Sequence, residues 1–226
     1  MDTTLTLEEA RTIILTELTV DDPEVRASYL KHFRAEVDEV AIAMARALLN
    51  WRSLDVNSAK DKRLAYVSSL VYTAITLHIQ SLKVFLSGLS VPAGNLMRQS
   101  LESIALALLC SGKELGVLDR FMAERYSTND AIRDVIRQSD KLGLEKAGVE
   151  ALKKGQDFYH NYSHLSHLTM AAAVEFSDEG LAGLYLGAAF DERKLEGYAK
   201  EMAGRLSSAQ VFSNFVDAVK ANVAKW

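Results

Sequence analysis

No glycine precedes Gly88 in this chain of 226 residues, which holds twelve glycines and two prolines in all. Average usage would supply roughly 16 glycines and about 11 prolines. A β-sandwich or barrel needs a turn signal every ten residues or so, and turn formers this sparse exclude one. Collagen-like, disordered and disulfide-framework chains are excluded by the same composition. With 49% hydrophobic and 25% charged residues, what remains is a mostly helical domain large enough to bury a sizeable core. Both prolines, Pro23 and Pro92, stand where apolar periodicity begins, and proline suits the first turn of a helix.

A formal net charge of −4 and a pI near 5.8 give no general attraction to DNA or to an anionic membrane. The single cysteine, Cys110, lies in an apolar run and reads as a small buried hydrophobe in a reducing compartment. The first ten residues are acidic and polar where a secretory signal is basic and then apolar, so a cytoplasmic location is expected. The stretch 64–82 carries no charge, yet it contains Ser68, Ser69, Thr73, Thr76, His78, Gln80 and Ser81. A membrane-spanning helix is more uniformly apolar, so the expectation here is a buried central helix and no membrane partner.

Periodicity then orders the chain. Thr6 and Glu9 form a capping-box pattern before Leu7, Ala10, Ile13, Ile14 and Leu18. Pro23 opens a long second helix whose Leu30, Phe33, Val37, Val40, Met44, Ala47 and Trp51 follow bundle-seam spacing. An apolar helical hairpin is expected over about 59–110, with Gly88 closing its first arm and Ser90 capping its second. Residues 113–157 interleave nine basic and nine acidic side chains, which reads as one or two solvated helices. A His-rich helix is expected over about 144–168, a small β-hairpin near 173–187, and a C-terminal helix over about 191–224. The fold class is therefore a mainly α, single-domain helical bundle with long antiparallel helices.

Two groups of residues carry chemical interest. His160, His164 and His167 are spaced four and three apart, which on one helix puts them on one face beside Ser163, with Asp157 a turn earlier. Such a face suits a divalent transition metal, a proton relay or a partner helix. Its bland counterpart is a structural polar seam. Arg98 and Glu102 stand one turn apart inside the least charged part of the chain. Burying either charge without a partner is costly, so each is expected to bond a neighbour. The histidine face is one candidate and an internal salt bridge the other. His78, alone in the apolar hairpin, reads as a core histidine with its hydrogen bonds satisfied.

Met97-Arg98-Gln99-Ser100-Leu101-Glu102 resembles a Leu-Arg-x-x-x-Glu pattern, and Tyr159, Ser163 and His167 resemble a Tyr-x-x-x-Ser-x-x-x-His pattern. Together, over about 60–170, they resemble a family of bacterial helical proteins related to the HEPN superfamily. That resemblance implies an all-helical bundle, homodimerisation, and a polar site of Arg98, Glu102, Ser163 and His167. Many HEPN proteins are ribonucleases with an Arg-x(4-6)-His motif. Here only Arg26 and His32 have that spacing, with Ala27 following, far from the other residues.

Three functions follow as expectations. The first is RNA or nucleotide binding or processing, with His164 or His167 as acid or base and Arg98 stabilising phosphate charge. The second is a homodimeric interaction or scaffold protein whose polar residues are structural. The third is a metal protein with His160, His164 and His167 as ligands.

Overall fold

The computed structural model describes residues 5–56, 58, 61–178 and 180–226. Helix α1 spans Leu7–Thr19 and begins with the expected capping box: Thr6 N–H donates to the Glu9 carboxylate and Glu9 N–H to Thr6 Oγ1. Helix α2 spans Pro23–Asp55. The Asp22 carboxylate accepts from the Glu24 and Val25 amides, and Pro23 takes the first helical position. α2 bends at Phe33, whose φ of −123° and ψ of 19° leave the helical region. Val40, Met44 and Ala47 of its seam are buried.

Helices α3 (Lys62–Leu86) and α4 (Ser90–Ser111) form the central hairpin. Ala59, where the hairpin was expected to start, lies outside the described residues. Gly88 makes the link possible. Its φ of +81° is left-handed, and a Cβ there would run into the backbone of Ala189. Leu89 N–H then reaches back to the Val84 carbonyl, as in a Schellman closure. Ser90 is not the cap of α4. Leu89 holds that position without a side-chain bond, and Ser90 already lies in the helix. By length and composition α3 is apolar enough to cross a membrane, but in the bundle its Val67, Val71, Ala74, Ile75 and Phe85 are buried.

α4 is the hub. From Ile104 to Ser111 every residue is buried, because α3 covers one side while α6, α7 and α9 cover the others. Burial pushes the Cys110 thiol up to about 12, so it stays protonated and inert. The charged middle of the chain folds as short pieces, α5 (Val117–Met122) and α6 (Ala131–Arg137), each laying its few apolar residues on α4. α7 (Lys146–Tyr159) and α8 (His167–Ala172) follow.

A two-stranded antiparallel sheet, β1 (Val174–Ser177) and β2 (Gly180–Leu184), lies inside the expected hairpin region. Glu179 of its turn is outside the described residues. The Asp191 side chain caps a short 3-10 turn that leads into α9 (Leu195–Val223), which packs along α2 and closes the bundle. Among the described residues the protein is thus nine α-helices and one small sheet around a single apolar core.

Candidate functional site

The expected helix over 144–168 breaks at Tyr159, and local polar side chains are the reason. Asn161 Nδ2 donates to the Asp157 and Phe158 carbonyls at 3.3 and 3.2 Å, drawing off acceptors that a continuing helix would use. Ser166 donates to the Asn161 carbonyl at 2.8 Å. With Thr169 it forms the capping box that starts α8 at His167. His160 therefore lies in a 3-10 turn, His164 in the following loop, and His167 at the start of another helix.

The single histidine face is accordingly corrected. His160 and His164 remain neighbours, ring edge to face at 4.7 Å, and all three imidazoles are exposed. Among the described residues no group of three or more His, Cys, Asp or Glu side chains is placed to hold a metal ion. The three-histidine ligand set does not fit this geometry.

Arg98 and Glu102 find each other. Arg98 Nε donates to Glu102 Oε1 at 2.8 Å, with the two side chains 21% and 18% exposed. α4 does pack against the 3-10 turn at His160–Tyr162 and against α8, so the helices bearing the expected residues are adjacent. The contact is made by Gly94, one turn before Arg98: any Cβ there would fall inside the Tyr162 ring. Among the described residues, no hydrogen bond or ion pair links Arg98 or Glu102 to Ser163, His164 or His167. Ser163 Oγ is buried with no partner among the described residues. Arg26 and His32 are not joined either: Arg26 donates to Ser87, and His32 stacks on Phe190 near Glu192.

The deepest charges of the fold lie elsewhere. Arg205 is fully buried, and Glu201, one turn before it on α9, is 3% exposed. Arg205 Nη1 donates to the Glu201 carboxylate and, at 3.3 Å, to its carbonyl; Nε donates to Ser81 Oγ at 3.2 Å. The guanidinium lies over the rings of Phe85 and Tyr159, at 4.5 and 5.5 Å. Around this pair several polar atoms have no partner among the described residues: Arg205 Nη2, Glu201 Oε1, Tyr159 Oη and both ring nitrogens of His78.

Electrostatics follow from burial. It raises the Glu201 carboxyl, against the pull of Arg205, and pushes Tyr159 up to about 12. Burial, reinforced by Arg205, brings His78 down to about 3, so its imidazole is neutral. His78 is a core residue as expected, but it is not satisfied: it approaches the Arg205 backbone without the geometry of a full hydrogen bond.

A third feature is at the surface. α1 buries none of its side chains: Leu7 is 86% exposed, Ile14 51% and Leu18 76%. These three fall on one stripe of the helix. α1 meets the body of the protein where Ala188 N–H donates to the Glu17 carboxylate at 3.2 Å. On the outer side of α2, Ile42 and Leu49, with Val56 just past the helix end, recur every seven residues and are also exposed, with exposed Arg46 and Arg52 beside them. No family model, curated protein or solved structure matches the chain.

Proposed function

We propose that this is a self-associating interaction protein, in which the polar clusters hold the bundle together and α1 is the contact element. The observation that carries this reading is the unburied apolar stripe of α1. A helix of this length is marginal in water by itself, and most helical stability in proteins comes from packing an apolar face. The occupant that best fits is a second copy of the same chain. The outer stripe of α2 offers Ile42 and Leu49, with Val56 just past its end, and its Arg46 and Arg52 have no ion-pair partner among the described residues. α1 carries three glutamates against one arginine. Because both faces belong to one chain, a twofold exchange buries each of them twice and leaves no open end.

In this reading the Arg98–Glu102 pair is structural, which accords with its being closed on itself. RNA- or nucleotide-directed chemistry would require Arg98 to leave Glu102 and an exposed histidine to reach it. Sedimentation equilibrium of the wild type and of Ile14→Glu/Leu18→Glu tests the proposal. The wild type is expected at twice the chain mass of 25.0 kDa, and the variant at the chain mass, with a loss of far-UV circular dichroism no larger than the 13 residues of α1 account for. A monomeric wild type, or a variant that still dimerises, overturns it. An RNA-cleavage activity abolished by both Arg98→Ala and His167→Ala would put the catalytic reading first.

A further inference from the structure

A cavity of about 350 Å³ opens between α8, β1 and the first turns of α9. That volume lies at the lower end of the range for small-molecule sites. Phe158, Tyr162, Phe176 and Tyr198 form its walls, and three charged side chains, Lys194, Lys200 and Glu201, line it. Lys194 directly precedes α9, and Glu201 lies two turns further along it, about 10 Å on at the helical rise.

Lys200 is already paired with Glu196, at 2.7 Å, whereas Lys194 and Glu201 each lack something. Glu201 spends one carboxylate oxygen on Arg205, while Oε1 is buried with no partner among the described residues. A buried acceptor left unpaired costs free energy, and a donor delivered by a ligand would remove that cost. The donor should be neutral. Glu201 is already balanced by Arg205, so an ammonium would add net charge to a closed site, whereas a hydroxyl adds none. Lys194 is in the complementary position. Its ammonium lies over the rings of Phe176 and Tyr185, at 5.8 and 5.0 Å, and donates only a long bond, 3.4 Å, to the Ala172 carbonyl. It has no ion-pair partner among the described residues, and burial lowers its pKa against the weaker, more distant pull of Asp191 and Glu175. An anion at the mouth would answer it.

We infer that the cavity binds an aromatic carboxylate with a hydroxyl at its far end. The carboxylate pairs with Lys194, the ring packs among Phe158, Tyr162, Phe176 and Tyr198, and the hydroxyl donates to Glu201 Oε1. Two probes of one shape separate the parts: para-hydroxyphenylpropionate and phenylpropionate, titrated into the protein by calorimetry. The hydroxylated probe is expected to bind at least about tenfold more tightly, the effect of one hydrogen bond to a charged acceptor. Lys194→Gln should weaken both probes by a similar factor and leave their ratio unchanged. Gly197 faces open space in the cavity wall, so Gly197→Leu should block both probes while circular dichroism is unaltered. The inference is overturned if neither probe saturates, if both bind the wild type equally, or if Gly197→Leu binds as the wild type does.

Discussion

Arg205 occupies a position on α9 that the spacing of its neighbours reserves for an apolar side chain. Tyr198, Met202, Ala209, Phe212, Val216 and Val219 are buried at alternating intervals of four and three, and Arg205 falls in step between Met202 and Ala209. That step was the available signal in the sequence, and it was missed because Glu201–Arg205 also looks like an ordinary surface pair at one-turn spacing. Arg98 and Glu102 were conspicuous for the opposite reason, as charges in a stretch with almost none. Yet they are the more exposed pair. Arg205→Met alone should cost about 3–5 kcal/mol in urea unfolding, since it strands Glu201 in the core. Glu201→Leu/Arg205→Met should recover most of that loss; a double variant as unstable as the single one would contradict the pairing.

His78 sets a pH dependence whose sign is fixed. Its folded pKa, about 3, lies below the ordinary value of 6.5, so the unfolded chain takes up a proton that the fold refuses. Its contribution is complete above the unfolded value and is lost as pH falls toward the folded one. His78→Leu removes this component. Between neutral pH and about pH 5 the variant should lose about 2 kcal/mol less than the wild type. Parallel losses measured by urea unfolding at both pH values would show that His78 does not titrate as described.

At the scale of elements, some boundaries were legible in the sequence and others were not, the Ser90 cap among the latter. Thr6, Pro23 and the Gly88 link act through local chemistry that a short window of sequence contains, and the structure uses all three. The break after Tyr159 was not legible. No glycine or proline marks it, and the apolar period runs on through Tyr162. What stops α7 is the side-chain bonding of Asn161 and Ser166, together with the seat that Gly94 provides for Tyr162. Gly94→Ala tests that seat. Alanine offers about 1 kcal/mol in helix propensity, but its methyl must displace a buried ring, an overpacking cost of about 1–3 kcal/mol. A net loss is expected in thermal unfolding. Gly197→Ala, with open space beside it, should instead raise the melting temperature. If both substitutions stabilise, Tyr162 does not pack on α4 as tightly as the structure places it.

At the scale of the whole molecule, periodicity identifies an apolar stripe without saying which body covers it. Leu7, Ile14 and Leu18 read like any buried face, and so does the seam of α2, yet only the second is covered by this chain. The surface of a fold depends on contacts between distant elements, which short-range spacing does not encode. A second copy covering α1 would bind the folded state alone, so by mass action the melting temperature must rise with protein concentration. For Ile14→Glu/Leu18→Glu it should be independent of concentration and, at high concentration, lower than that of the wild type. Salt separates the two components of the contact. In the proposed contact, attraction between the α1 glutamates and Arg46 and Arg52 would be screened over about 10 Å at moderate ionic strength, whereas apolar burial would not. Dimerisation that weakens only partly in salt fits a stripe flanked by charges. Complete loss in salt would make the contact electrostatic, and a wild-type melting temperature indifferent to concentration would leave α1 without the partner assigned to it.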